Sequence, residues 1–152
     1  MHQQSRYLIV VRDPIRRALS AFNWRYRLVV REGSQKNRFE GEFDTLCRYE
    51  TLDALALSLY GENGLDLAAA RDFRAIHHLR EDISFYLGDL LDAIRPVQIY
   101  GVLFTERLAW DAQRVLDVAT LRTVHENKSA TPPSQKHLSQ QAIDNLRRFL
   151  AK

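Results

Sequence analysis

The hydrophobic pattern begins with Tyr7-Leu8-Ile9-Val10-Val11, a run of continuous apolar and β-branched character that predicts a strand buried on both faces, as in a parallel sheet. Asp13-Pro14 then supplies a helix start, with Asp as N-cap and Pro at the first helical position, where its missing N–H costs nothing. Ile15, Ala18, Leu19, Phe22, Tyr26 and Val29 recur at three- and four-residue steps, so this helix is expected to run to about Arg31, ahead of Gly33-Ser34. Residues 33 to 42 are polar and glycine-punctuated, the pattern of a surface loop. Helical spacing resumes from Phe43 to Tyr60 with a break near Thr51, which can cap a second piece; Gly61 and Gly64 end it.

From Asp66 to Ile94 the positions Ala69, Phe73, Ile76, Leu79, Ile83, Leu87, Leu90 and Ile94 keep helical period, with Gly88 the expected kink and Pro96 the stop. Val97 to Phe104 reads as a second strand, followed by a helix from Thr105 or Glu106 to about Leu116 and a short extended piece at Leu121 to Val124. His125 to Lys136 is a polar loop carrying Pro132-Pro133, and Ser139 caps a final helix with Leu138 stapled onto Ile143. Strand, helix, several helices, strand, helix and final helix make a helix-rich α/β pattern with a short parallel sheet. Two or three strands make a thin sheet for one domain.

Composition narrows the class. At 152 residues, 45% hydrophobic and 27% charged, the chain has the makeup of one globular domain and neither disorder nor a repeat. A single cysteine, Cys47, excludes an intramolecular disulfide and fits a reducing, cytoplasmic setting. No apolar run approaches the roughly 20 residues that span a bilayer. The net charge of +3 conceals an asymmetry. Residues 1 to 38 hold nine Lys or Arg against two Asp or Glu, whereas the remainder holds thirteen against seventeen. A localised anion site accounts for that split better than a surface coated for nucleic acid, because the chain beyond residue 38 is net acidic.

Tyr7 to Arg27, YLIVVRDPIRRALSAFNWRYR, carries the chemistry. It sets Arg12 at the carboxyl end of a strand, where ligands collect in open α/β sheets. Arg16 and Ser20 then share a helix face, continued by Asn23, Trp24 and Arg27. A guanidinium with planar paired donors and a short hydroxyl suit a phosphate.

This segment resembles the 3′-phosphate-binding element of sulfotransferases that use 3′-phosphoadenosine 5′-phosphosulfate (PAPS), whose pattern is strand, Arg-Asp-Pro, then Arg and Ser within the helix. Ile99 to Arg107 with its following helix looks like the later strand and acidic helix start of carbohydrate sulfotransferases, closest in layout to the heparan-sulfate uronyl type. His125-Glu126-Asn127-Lys128-Ser129 is similar to the segment that closes over the nucleotide. The resemblance implies a P-loop-NTPase-like sulfotransferase fold and the C-terminal two-thirds of a catalytic domain, residues 1–152. It implies PAPS as sulfate donor and a hydroxyl-bearing, carbohydrate-like acceptor. By it, Arg12 and Ser20 hold the 3′-phosphate, with Arg16, Lys128, Ser129 and Thr131 as further cofactor contacts. Lys136 is read as a surface charge.

Sulfuryl transfer needs a base for the acceptor proton. His77-His78 lies about where uronyl-type enzymes carry a catalytic histidine, and one of the two is the candidate, His78 favoured because Ile76 and Leu79 mark the buried face. Adjacent histidines on a helix point about 100° apart, so no chelating pair and no metal is expected. Among the aromatic residues Trp24, Tyr26 and Trp110, Trp24 shares the Ser20 stripe and is the candidate for stacking on adenine or a sugar ring, although aromatics at helical spacing more often pack. These enzymes also carry an earlier glycine-containing loop with Lys or Arg and Ser or Thr around the 5′-phosphosulfate. None of the six glycines here is followed by Lys, so an N-terminally truncated domain is expected. The alternative is a non-catalytic module that binds a nucleotide or sulfated glycan.

Overall fold

The computed structural model describes residues 5–117 and 132–151. Their fold is a helix-rich α/β arrangement that divides into two compact units, one formed by residues 5–13 with 83–117, the other by residues 14–82 with 132–151. Lys128, Ser129, Thr131 and the extended piece expected at Leu121 to Val124 lie outside the described residues. Among the described residues no helix is long and apolar enough to cross a membrane.

In the first unit, β1 (Tyr7–Val11) pairs in parallel with β4 (Ile99–Phe104), in the register Leu8 to Gly101 and Val11 to Phe104. Parallel pairing demands a long crossover, and most of the chain lies between the two strands. The burial expected on both faces is not realised: Ile9 and Leu103 are buried, but Leu8, Val10, Tyr100, Val102 and Phe104 stay exposed. Among the described residues this sheet has two strands and hence two open edges. A 3₁₀ turn over Thr105–Arg107 leads into α7 (Leu108–Leu116), whose Asp111 carboxylate is buried. Phe104 N–H donates to Asp111 Oδ2 at 2.7 Å and Arg107 Nε pairs with Oδ1 at 3.0 Å, so the acid ties the strand end to its own helix. Gly101 is required by close approach, since a Cβ there would run into Val115 Cγ1 of α7. α6 (Ile83–Ala93) continues without interruption through Gly88 and buries none of its residues fully.

The second unit is helical apart from a small hairpin. α1 (Pro14–Tyr26) begins at Pro14 as expected, but residues 27–31 widen into a π-helical turn in which Glu32 N–H donates to Arg27 O at 2.9 Å. That turn leaves Val29 fully buried beside Phe22. α2 (Glu42–Tyr49) and α3 (Leu52–Ser58) follow, separated at Thr51, whose hydroxyl accepts from Ala54 N–H at 3.1 Å. β2 (Tyr60–Gly61) and β3 (Gly64–Leu65) form the hairpin, with Gly64 at φ 98°, a left-handed conformation that glycine adopts without strain. Asp66 caps α4 (Leu67–Ala75) by accepting from Ala68 and Ala69 N–H. The long helical period from Asp66 breaks at Ile76, which is extended, and again at Glu81; between them α5 (His77–Arg80) is a single turn. The break therefore falls upstream of Gly88.

α8 (Pro133–Lys136) is a helical turn where a polar loop was expected. It is held because Asn23 Nδ2 donates to Gln135 O at 3.0 Å and Arg31 Nη2 to Gln135 Oε1 at 3.0 Å. α9 (Gln140–Leu150) starts at Ser139, whose hydroxyl accepts from Ala142 N–H, and inserts Leu146 and Phe149 into the core, where Phe149 meets Phe73 edge to face.

A buried ion pair crosses this apolar interior. Arg25 and Glu42, 2% and 1% exposed, form a two-pronged ion pair, Nε to Oε1 at 2.8 Å and Nη2 to Oε2 at 2.6 Å. Removing one partner strands a buried charge, so Arg25→Met is expected to cost about 3–5 kcal/mol in chemical denaturation. Adding Glu42→Leu should recover part of that loss, and a double variant as unstable as the single one would contradict the assignment. In the first unit, Gly101→Ala is expected to cost about 1–3 kcal/mol through overpacking against Val115, read as a lowered denaturation midpoint.

Candidate functional site

The groups read from sequence as site residues fall on both units, and each unit holds its own part. In the first, Arg12 follows the carboxyl end of β1 and is exposed. Its Nε lies 3.7 Å from Glu106 Oε1, and the same oxygen accepts from Asp13 N–H at 3.2 Å. Glu106, just beyond β4, thus holds the turn that follows β1. In the second unit, Arg16 and Ser20 are exposed on α1, as the helix-face reading required. Asn23 leaves that face: it is buried and anchors Gln135. Trp24 remains exposed with the Arg27 guanidinium over its ring at 4.3 Å. Lys136 is exposed.

The densest chemistry in the second unit surrounds α5. Ile76 and Leu79 are buried and hold the turn down, while His77 N–H donates to Glu42 Oε1 at 2.9 Å. The Arg25–Glu42 pair therefore also fixes where the two histidines start. The chain then turns outward at Glu81, whose carboxylate folds back beneath both rings: His77 Nε2 lies 3.3 Å from Oε1 and His78 Nδ1 3.0 Å from Oε2. The side chains are 21%, 36% and 8% exposed for His77, His78 and Glu81. Phe39 stacks on His77 at 4.0 Å, and Arg17 Nη1 donates to His78 O at 3.2 Å. Arg25, Arg38 and Arg80 all lie within 6 Å of the Phe39 ring centre. Arg25 is matched by Glu42, so Arg38 and Arg80 are the charges added beside the ring that stacks on His77.

Two features depart from the sequence reading. Residues 33 to 42 are not wholly a surface loop, because Glu42 opens α2 from a buried position and Phe39 packs on His77. The two imidazoles, although successive, converge: their ligating nitrogens and a Glu81 oxygen lie within 4.8 Å of one another, the donor set of a three-ligand cation site. Glu81 went unnoticed in sequence, yet the spacing His-His-x-x-Glu, an acid three and four residues beyond two histidines, is a legible signal for such a cluster.

Comparison with family models, with curated proteins and with solved structures finds no match to this chain.

Burial depresses the pKa of His77 below its ordinary 6.5; Glu81 opposes that shift, while His78, Arg80 and Arg25 reinforce it. A histidine that protonates less readily when folded stabilises the fold fully above its unfolded pKa, and that contribution is lost as pH falls from about 6.5 toward the depressed value. The melting temperature should therefore drop between pH 7.5 and pH 5, and His77→Gln should flatten the drop. Equal slopes for the two proteins would contradict the assignment.

Proposed function

We propose that this chain is a sulfotransferase-type domain, in which Arg12 and Ser20, assisted by Arg16, hold the 3′-phosphate of PAPS. In this reading a sulfuryl group passes to a hydroxyl of a carbohydrate or related acceptor. The observation that carries it is the turn Arg12-Asp13-Pro14. It leaves the carboxyl end of a strand that pairs in parallel with the later β4, and it leads into a helix exposing Arg16 and Ser20. Strand-end position, helix start and exposed hydroxyl are what a phosphate site of this kind demands. Lys128 and Ser129 belong to the same proposal as further contacts to the nucleotide.

In the transfer, the acceptor oxygen bonds to sulfur as the bond from sulfur to the 5′-phosphate oxygen breaks, and the hydroxyl proton goes to a base. Among the described residues, the pair His77 and His78, backed by Glu81, is a group suited to receive it. The absence of a Gly-Lys pair anywhere in these 152 residues favours the second reading, a nucleotide- or sulfated-glycan-binding module that does not turn over.

Titration calorimetry with 3′-phosphoadenosine 5′-phosphate tests the first part. Binding is expected, and Arg12→Ala and Ser20→Ala should each weaken it roughly 10-fold or more, in line with loss of a hydrogen bond to a charged group. No heat of binding, or affinity unchanged in both variants, would overturn the site. Transfer of labelled sulfate to a glycan by the chain would exclude the non-catalytic module.

A further inference from the structure

We propose that Glu81 is a positioning residue that divides the labour of the two histidines, fixing His78 with its proton on Nδ1 so that Nε2 is the base nitrogen, and withdrawing His77 from proton transfer. This rests on the reading that a histidine of this pair accepts the acceptor's proton, and it names which one and how it is chosen. An ionised carboxylate only accepts hydrogen bonds, so each ring nitrogen facing Glu81 carries the hydrogen. His78 presents Nδ1 at 3.0 Å; its Nε2 is therefore the nitrogen with the lone pair, on a ring 36% exposed. His77 presents Nε2 at 3.3 Å, which leaves its lone pair on Nδ1. That Nδ1 is buried and has no hydrogen-bond partner, and Phe39 covers the ring face. A proton delivered there would create a charge without solvent or acceptor, so His77 is unsuited to titrate during turnover.

The same carboxylate thus produces opposite results because it meets opposite nitrogens. A carboxylate behind an imidazole sets its tautomer and steadies the imidazolium once it forms. Glu81, 8% exposed, is placed to do this for His78, and the backbone bond from His77 N–H to Glu42 keeps the turn from rotating. A cation at this cluster is the weaker use of the same groups. Both Glu81 oxygens face imidazole nitrogens, and Arg25 and Arg80 lie close enough to His77 to repel an added positive charge.

The test is a long-range ¹H–¹⁵N spectrum of the ¹⁵N-histidine-labelled chain at pH 7.5. His78 should show a protonated Nδ1 and an unprotonated Nε2, and His77 the reverse. Glu81→Gln should move His78 to a tautomer mixture, whereas His77→Gln should leave its Nδ1–H form intact. The opposite tautomer on His78 in the unsubstituted chain would overturn the proposal even if a variant failed to fold. So would a Glu81→Gln chain with an unchanged His78, or micromolar Zn²⁺ shifting both rings together. None of these readouts requires nucleotide binding, so failure of the sulfotransferase reading is seen separately, in calorimetry. If turnover is found, Glu81→Gln should lower kcat by roughly 10-fold or more with KM unchanged, and His78→Gln should lower it further.

Discussion

The buried pair Arg25–Glu42 is the constraint on which the helical unit depends. An ion pair this deep does not stabilise by Coulomb attraction alone, because taking both charges out of water costs about as much as their attraction returns. Its value is directional. The Arg25 fork accepts only one approach of the Glu42 carboxylate, and that approach sets the start of α2 against α1. Oε1 of the same carboxylate takes the N–H of His77, so α5 is placed by the pair as well. The histidine cluster inherits its geometry from that placement.

Local chemistry made most helix ends legible in sequence. Thr51, Asp66 and Ser139 each satisfy an open backbone N–H one or two residues into the following helix, a decision made within a few residues and hence visible in them. Burial of polar groups was not legible, because it is decided by residues far apart. Glu42 looks like a loop residue beside Gly41 until Arg25 is seen to face it. Asn23 looks exposed until Gln135, 112 positions later, is seen to accept from it. The break at Ile76 escaped for the same reason: its periodicity is helical, but His77 N–H is taken by Glu42 rather than by its own helix. Parallel character was legible in the continuous apolar and β-branched run from Tyr7 to Val11, whereas the exposure of both strands was not, since it depends on what lies beside them.

For the candidate site, sequence named residues and the structure supplied the relations within each unit. Glu106 sets a carboxylate 3.7 Å from the strand-end guanidinium of Arg12 and accepts from the N–H of Asp13 in the same turn. Glu81 beneath two histidines turns an undifferentiated pair into groups with different protonation chemistry. Both arrangements pair a cation or proton carrier with an acid.

The central claim is that this chain recognises a nucleotide by its 3′-phosphate. Its most direct measurement is the affinity of the chain for 3′-phosphoadenosine 5′-phosphate set against that for adenosine 5′-phosphate, which differs only in lacking that group. The account predicts binding at least about 10-fold tighter for the 3′-phosphorylated nucleotide, the scale of losing charge-assisted hydrogen bonds to one phosphate. Equal affinity for the two, or no binding of either, would contradict it.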